Sequence, residues 1–487
     1  MASLNDSMVI ARSAILAHQD RLAVISHNIA NVNTPGYHRQ RALLETNPPI
    51  QSTMLETRRY DVGTGVRVAD VVRVYDRMKE MLLLDEQSSA ASHGASRDAL
   101  QVLESIVGGA GEAALGTQMD RFWSAWQDLA NHSDDLAYRG VLVERAVAMT
   151  DSLREARGRI ANFRNELAGG DAVSGFTGLL ATDVDAVNSI AANIQSVNQR
   201  LSLTLSMFGS GDLRDQRDQL ISELGKQIDI AVDTAGNVTV DGQLLVSADG
   251  LTLNALSITD VSAGVQLELD GAAVTATGGR IGAWTAVLGI ADSAAQGLDV
   301  FAAELIAQVN AVHNSDLSTT GDAYDLDGNR STIDFFTGTS ATDIAINTAI
   351  CDPADPLDRH PERIAAAATR FSAGPPPVPN AGDGAKALEI ADLASVRRAT
   401  LANQTFGGFL AAQAAAVGAQ LQEETALAGD GDLIVQMLTD AVQGESGVNL
   451  DEEMVEMLTA QRAYESAARL FSTLDELMNT IINGLGR

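Results

Sequence analysis

Cysteine is almost absent from this 487-residue sequence, and its scarcity excludes several kinds of site. Cys351 is the single cysteine, so the chain can form neither an internal disulfide nor a CxxC metal site. No apolar run reaches the roughly 18 residues that a transmembrane helix needs. The first residues also lack the basic and apolar segments of a secretory signal peptide. We therefore expect a cytoplasmic protein, or one that is exported by a route that uses no such signal.

Basic and aromatic residues are also scarce. The chain has 33 Lys and Arg against 64 Asp and Glu, which gives a formal net charge of −31, and aromatic residues make up 4%. A surface this acidic repels phosphate, which argues against a nucleic-acid partner or an anionic membrane. A core with few aromatic residues must be built from Ala, Leu, Val and Ile, which suits closely packed helices. The length predicts two to four domains.

Apolar residues at helical spacing are abundant near both ends of the chain. Their steps alternate between four and three residues, which is the pattern of a coiled-coil seam. A helix with one apolar stripe needs a partner helix, so we expect the two terminal helices to pair and to form an assembly interface. The predicted interface residues are Leu4, Met8, Ala11, Ile15, Leu22, Ile25, Ile29, Val32, Leu450, Met454, Met457, Tyr464, Ala468, Phe471, Leu474, Met478, Ile481 and Leu485.

The first helix is predicted to end at a turn. Pro35 cannot continue a helix, and Pro35 followed by Gly36 suits a type II turn in which the glycine supplies a positive φ. Asn28, Asn31 and Asn33 lie beside this turn. Capping and turn chemistry, which asparagine does well, is the favoured interpretation of these residues, and a binding face is the alternative. His18, the one polar step of the stripe, is interpreted as a packed histidine with one hydrogen-bond partner.

The fold class is predicted as mainly α with a β-rich insert, because helical periodicity gives way to Asp-Gly turns and strand alternation only near the middle. Long coiled-coil-like helices from both termini should pack together, with a helical middle domain and a hairpin-rich outer module. The predicted domains are a terminal helical domain (1–40 and 445–487), a middle domain (41–227 and 284–444) and an outer β module (228–283), with an irregular loop region at 315–380. Single helices are expected at 112–168, 384–426 and 430–444.

No pattern of catalytic or metal-binding residues stands out. The sequence contains no HExxH, HxH, GxSxG or GxxxxGK[ST] pattern, and Cys351 has no signature around it. Residues 325–329 resemble the start of a calcium loop, but Arg330 replaces the required glycine and Phe336 the final glutamate. Phe122, Trp123 and Trp126 form an aromatic helical stripe that indicates core. We therefore predict no catalytic, cofactor-binding or metal-binding residue and no enzyme, and favour a self-assembling structural protein.

Residues 25–37 resemble the motif NNIANxNTxGY of the flagellar rod, hook and hook-associated axial protein family. His27 departs from the motif, where Asn is common, and His38 replaces the Ser of the GYSRQ form that is typical of hook-associated members. Other stretches are similar to the same family, including residues 213–220, 447–453 and 461–464. The motif residues are Asn28, Ile29, Ala30, Asn31, Asn33, Thr34, Pro35, Gly36, Tyr37, Arg39 and Gln40.

This resemblance implies a secreted structural component of the bacterial flagellum, an adaptor at the hook–filament junction that filament assembly and motility require. The implied partners are further copies of the chain, the hook protein below, a second junction protein or the filament above, and a type III export chaperone at the C-terminal region. No cofactor, nucleic acid or membrane is implied, and the chain would be cytoplasmic before export. A hook or distal-rod protein is an alternative, and an axial protein with a protease-like insert is another.

The order of the terminal helices in a lone chain is a separate question. Helix nucleation is costly and packing supplies most helical stability. From the sequence we therefore expect residues 1–40 and 450–487 to be largely mobile in the monomer and helical in the assembled axis.

Overall fold

A computed structural model describes residues 4–48, 50–51, 61–109, 114–171, 173–203, 210–260, 264–352, 359–372 and 376–485. Within these ranges the chain is mainly helical, with small antiparallel sheets of two or three strands. The helices are α1 (Leu4–Ala30), α2 (Arg77–Gly108), α3 (Leu115–Asn131), α4 (Leu136–Ala168), α5 (Leu179–Leu203), α6 (Ser210–Gln227), α7 (Gly279–His313), α8 (Ala385–Asp392), α9 (Phe406–Ser446) and α10 (Leu450–Leu485). The strands are β1 (Gln40–Thr46), β2 (Ile50–Gln51), β3 (Asp61–Val62), β4 (Val66–Arg73), β5 (Gly169–Asp171), β6 (Gly175–Thr177), β7 (Ala231–Val232), β8 (Val238–Val240), β9 (Gln243–Val246), β10 (Leu256–Asp260), β11 (Gln266–Leu269), β12 (Ala272–Val274), β13 (Phe336–Thr337), β14 (Ala345–Ile346), β15 (Arg370–Ser372) and β16 (Val378–Pro379).

Side-chain caps fix the starts of the long helices. Asp76 accepts hydrogen bonds from the first backbone amides of α2, and Asp135 accepts one from the Ala137 amide of α4 at 2.7 Å. The Thr405 hydroxyl caps α9 in the same way, at 3.1 Å from the amide of Gly408. Such caps satisfy backbone donors that have no partner within the helix.

The body of the molecule is built around α7, which packs against α2, α4, α5, α6 and α9. An aromatic cluster of α3 completes this core, since Phe122 and Trp126 are fully buried and Trp123 nearly so. The aromatic stripe is therefore core, as the sequence predicts. By length and composition α7 is apolar enough to cross a membrane. Half of its most apolar stretch is buried inside the body, and this burial accounts for its apolar composition.

Helices α2 and α9 form a long antiparallel pair that leads from the body toward the chain termini. Lys79 and Glu445 form an ion pair near one end, and His93 Nδ1 lies 2.7 Å from Glu424 Oε2 farther along. Gly431 lies against Ala90, and a Cβ added to it would meet the Ala90 Cβ at 3.1 Å. The two helices therefore approach closely through small residues.

Two three-stranded sheets, β7–β8–β9 and β10–β11–β12, lie within residues 228–283, where the sequence predicts a β module. Asn188 of α5 exchanges two hydrogen bonds of 2.8 Å with the backbone of Leu256, and Asn198 donates one to the Ser247 carbonyl at 2.9 Å. Buried side chains of both sheets belong to the main core cluster. The module is therefore packed onto the helical body and shares its core.

A further hairpin of β1 and β4 packs along α1. The Val66 amide donates to the Ser13 hydroxyl at 3.1 Å. Gly65 has a φ of 95°, and a Cβ at this position would lie 1.9 Å from that hydroxyl, so the close approach requires glycine. This hairpin joins the first helix to the start of α2.

The mainly α fold class, with long terminal helices packed together and small hairpins, is confirmed. Three helix predictions are wrong in their boundaries. The helix predicted at 112–168 is two helices, because Asp135 caps a new one after His132. The helices predicted at 384–426 and 430–444 are instead the short α8, two 3-10 turns and one continuous α9. The glycines near 430 do not interrupt α9, since Gly431 faces α2.

Candidate assembly site

The terminal helices α1 and α10 pair in antiparallel fashion within one chain. Arg21 forms an ion pair with Glu456, and the Asn28 side-chain amide donates to Glu453 Oε2 at 3.0 Å. The buried residues of α10 recur every seven positions, as a coiled-coil seam requires. They are Glu453, Ala460, Ala467 and Leu474, and they face a helix whose buried residues are Ala11, Ala17, Val24, Ile25 and Asn28.

The predicted interface residues of the N-terminal segment are all buried or half-buried. Ala11 and Ile25 are buried, and the others are half-buried: Leu4, Met8, Ile15, Leu22, Ile29 and Val32. The buried residues of α1 also include Ala17, Val24 and Asn28, which the predicted stripe omits. Ala17 and Asn28 were missed because a small or polar side chain gives little apolar signal, whereas Val24 is apolar but lies off the 4-3 spacing of the predicted stripe.

The predicted residues of α10 divide into three groups. Leu474 is buried, and five residues are half-buried: Met457, Tyr464, Ala468, Phe471 and Met478. Leu450, Met454 and Ile481 are 45%, 55% and 48% exposed, and the side chain of Leu485 lies outside the described residues. Ile481 is exposed because α10 has 36 residues and α1 has 27, so the last turns of α10 extend past Leu4.

Family-motif residues connect α1 to α10 through a set of hydrogen bonds that we call the clasp (Asn28, Tyr37, Arg39, Gln40 and Glu453). Asn28 Oδ1 accepts from the Gln40 amide at 3.0 Å and from the Tyr37 hydroxyl at 2.8 Å. Asn28 Nδ2 donates to the Gln40 carbonyl at 2.9 Å and to Glu453. All four hydrogen-bonding positions of this buried amide are therefore used. Burial raises the pKa of the Tyr37 phenol, and nearby carboxylates raise it further.

Arg39 neutralises the buried Glu453, which is 1% exposed. Arg39 Nε donates to Glu453 Oε1 at 2.6 Å, and Arg39 Nη1 donates to Glu452 Oε2 at 2.9 Å. The Arg39 amide also donates to the Ser446 carbonyl, at 2.8 Å, where α9 ends. A buried carboxylate is costly unless it is paired and hydrogen-bonded, so this pair fixes the start of α10 against the end of α1.

The turn after α1 agrees with its prediction. The Tyr37 amide donates to the Thr34 carbonyl at 3.2 Å, and Gly36 has a φ of 74°. Asn31 donates to the His27 carbonyl at 3.0 Å, as capping chemistry predicts. Asn28 differs, because it joins segments that are distant in sequence. Asn33 to Gly36 are exposed.

Residues 37–40 are also anchored to the body. His38 lies between Asp215 of α6 and Glu80 of α2, and Gln40 Nε2 donates to Asp212 Oδ1 at 2.8 Å. Arg73, at the end of β4, binds both Asp215 and Asp218. The pair of terminal helices thus meets the body at a cluster of charged residues.

The sequence analysis also considered the calcium-loop-like segment at 325–329, Cys351 and His18 as possible site residues. Asp325 Oδ1 accepts from the amides of Asp327 and Asn329 at 3.0 and 2.7 Å, which is a turn of the predicted kind. Cys351 is buried. His18 is half-buried, its Nδ1 has no hydrogen-bond partner among the described residues, and burial lowers its pKa. Within the described ranges, no group of three or more His, Cys, Asp or Glu could hold a metal ion.

Three protein-family models match the chain, and all describe flagellar axial proteins. The helical domain of flagellar hook-associated protein FlgK matches residues 100–336. The C-terminal model of basal body rod FlgEFG proteins matches residues 443–484, which cover most of α10. The basal body rod protein model matches residues 8–38, which cover α1 and the turn.

Curated relatives and a solved structure agree with these models. Flagellar hook-associated protein 1 of Bacillus subtilis is 25% identical over 538 residues, and the alignment covers 100% of this chain and 99% of the Bacillus chain. The protein of that name from Escherichia coli is 25% identical over 50% of this chain and 42% of its own. The flagellar hook junction protein FlgK of Burkholderia pseudomallei has the same fold, with a TM-score of 0.55 and 15% identity over 74% of this chain and 99% of its own. Over its whole length the chain is therefore similar to flagellar hook-associated protein 1 (FlgK), and its two ends match models of flagellar rod proteins.

Proposed function

We propose that this protein is the adaptor of the hook–filament junction and that it acts mechanically, without catalysis. It is a structural component of the bacterial flagellum, and filament assembly and motility require it. The observation that carries this proposal is the clasp, which presents α1 and α10 as one preassembled pair. Such a pair can stack beside copies of itself around an axis.

The surfaces that join neighbouring copies are proposed to be the faces of the pair that stay exposed outside its seam. On α1, Val9 and Leu16 are 46% and 51% exposed, and Arg12 lies between them. Along α10, uncharged exposed residues recur at helical spacing. We call these residues the outer faces: Val9 and Leu16 of α1, with Val455, Leu458, Leu470 and Leu477 of α10. Contiguous exposed apolar residues mark interaction surfaces.

This proposal changes the role of the predicted interface residues. Ile25 and Leu474 are already covered within one chain. Their role is to hold the pair together, whereas the outer faces contact other copies. An interface between two different faces is heterologous and generates a ring or helix of subunits, which an axial structure needs.

The finer assignment of partners follows from the family. The hook protein lies below the proposed ring, and a second junction protein or the filament lies above it. The chain leaves the cytoplasm through the flagellar type III export channel, with a chaperone at its C-terminal region. A chain whose single cysteine can form no internal disulfide suits export in an unfolded state.

Electron microscopy of cells that lack this protein tests the role directly: hooks without filaments are the expected result, and normal filaments would contradict it. Complementation tests the surface. Leu470→Asp combined with Leu477→Asp should still be exported but should fail to restore filaments, because charges would enter a packed interface. Leu251→Asp, at a residue 79% exposed in the β module, is the control and should restore them. Secreted protein in the medium separates failed export from failed assembly.

A further inference from the structure

His38 is buried at the point where the terminal pair meets the body. It is 6% exposed and lies eight residues beyond the end of α1. Its Nδ1 lies 2.8 Å from Asp215 Oδ1, and its Nε2 lies 3.0 Å from Glu80 Oε1. The backbone amide of His38 also donates to Asp215 Oδ2, at 3.2 Å. One side chain therefore connects the segment after α1 with both α6 and α2.

The geometry of these contacts requires a charged imidazole. An ionised carboxylate only accepts hydrogen bonds, and a neutral imidazole has a single N–H. Both ring nitrogens of His38 face carboxylate oxygens, so both must carry a proton. A neutral ring would direct a nitrogen lone pair at Asp215 or Glu80 inside a buried site.

The charges around His38 balance only when it is protonated. Arg73 donates to Asp215 at 2.5 Å and pairs with Asp218 at 2.9 Å. Arg217 pairs with Asp218 at 3.2 Å. The charged and titratable groups that surround His38 are Glu80 from α2, Asp215, Arg217 and Asp218 from α6, and Arg73 and Tyr75 from the end of β4 and the residues after it. Three carboxylates thus face two arginines and one imidazolium.

Burial by itself lowers the pKa of His38, but the hydrogen bonds to Asp215 and Glu80 outweigh it and raise the pKa to about 9, against the opposing charge of Arg73. The proton is therefore held at neutral pH. A serine at this position, as in the related motif, is neutral and too short to bridge two helices. The property belongs to this chain and not to the motif.

The side chain of the next residue, Arg39, contacts the terminal pair instead of the body. Arg39 binds Glu453 and Glu452 of α10, whereas His38 binds the body. We propose that protonated His38 is the positioning residue that fixes the terminal pair to the body, and that loss of its proton releases the pair as a unit. The contact lies within one chain, so the inference stands independently of assembly at the hook–filament junction.

The sign of the pH dependence follows from the raised pKa. The contribution of His38 to docking is complete below the ordinary pKa of 6.5 and is lost as the pH rises through about 9. If the released segment has the ordinary pKa, the docking equilibrium constant falls by at most about 300-fold across this window, since each pKa unit is tenfold.

The distance between spin labels on the pair and on the body measures the docking. Ser466→Cys on α10 and Val141→Cys on α4 are exposed positions, and a Cys351→Ser background removes the buried thiol. For the monomeric full-length chain we expect a narrow distance distribution at pH 6, a broad one at pH 10 and a midpoint near pH 9. Tryptophan fluorescence should show that the body stays folded throughout.

Variants separate the charge of His38 from its bulk. His38→Gln should give a broad distribution from pH 6 upward with no midpoint, and His38→Arg, which keeps a cation, should stay narrow at pH 10. His93→Gln, at a histidine that pairs with Glu424 between α2 and α9, is the matched control and should keep the midpoint. A wild-type distribution that stays narrow to pH 10, a midpoint that survives in His38→Gln, or unfolding of the body at the same pH would each overturn the proposal.

Discussion

Replacement of Glu453 by alanine should loosen the terminal pair while leaving the body intact. Glu453 is 1% exposed and accepts from Arg39 Nε at 2.6 Å and from Asn28 Nδ2 at 3.0 Å. Removal of one partner of a buried ion pair costs about 3–5 kcal/mol. Arg39 keeps its bond to Glu452, so the lower end of this range applies. A cost of about 3 kcal/mol corresponds to an opening constant about 150-fold larger.

Hydrogen exchange of the full-length monomer measures this opening, because the amides of α10 exchange when the pair separates. Glu465→Ala is the matched control: Glu465 is an exposed carboxylate of the same helix, 3.8 Å from Arg469, and such pairs contribute roughly 0.5 kcal/mol or less. Protection over residues 457–478 should fall strongly in Glu453→Ala and little in Glu465→Ala. Equal protection in the two variants would show that the clasp does not hold the pair, and the reasoning would fail.

Two further predictions concern the body. His313 is fully buried, and its Nε2 accepts a hydrogen bond from the Ala365 amide at 3.0 Å. Burial lowers its pKa to about 4. The neutral ring should therefore contribute about 3 kcal/mol to the free energy of unfolding above pH 6.5, and this contribution should be lost as the pH falls toward 4. Urea denaturation between pH 7 and 4.5 should show this loss as a fall in the free energy of unfolding with falling pH. The fall should be smaller in His313→Gln, and an equal fall in both proteins would contradict the prediction. Gly431→Leu should destabilise the chain by about 1–3 kcal/mol through overpacking against Ala90. Gly429→Ala, with open space around it, should stabilise α9 by up to about 1 kcal/mol, and a melting scan that ranked the two variants in the opposite order would refute this packing argument.

The sequence predicted elements whose signal is local. The turn at Pro35 and Gly36 has the predicted type, because those two residues fix its backbone by themselves. The pairing of the terminal helices could also be anticipated from their apolar stripes. The buried residues Ala460 and Ala467 were not predicted as interface residues, because a small side chain at a seam position carries little apolar signal of its own.

Features that depend on distant contacts could not be predicted. Asn28 looked like a capping residue, yet its partners lie 12 and 425 residues away. The sequence around residues 393–405 has ordinary helical propensity, but the structure gives 3-10 turns there, and Ala402 and Asn403 have positive φ angles. Tertiary packing determines the backbone conformation of such segments, and it cannot be predicted from the local sequence.

The clasp changes one expectation drawn from the sequence, that both terminal segments are largely mobile in the monomer. That expectation assumed no anchor between these helices and the acidic body. His38 supplies such an anchor to the body, and Arg39 with Glu453 joins the two terminal helices to each other. We now expect the clasp end of α10 to be ordered in the lone chain and its last turns, beyond the end of α1, to exchange fastest.

Accessibility of the outer faces in the assembled flagellum tests the central claim most directly. Single cysteines at Leu16, Leu470 and Leu251, in a Cys351→Ser background, report the exposure of α1, α10 and the β module, which are all exposed in the single chain. Maleimide labelling should be similar at the three positions in the free monomer. In isolated hook–filament structures it should become much slower at positions 16 and 470 and stay unchanged at 251. Labelling of 16 and 470 at the monomer rate after assembly would contradict the account.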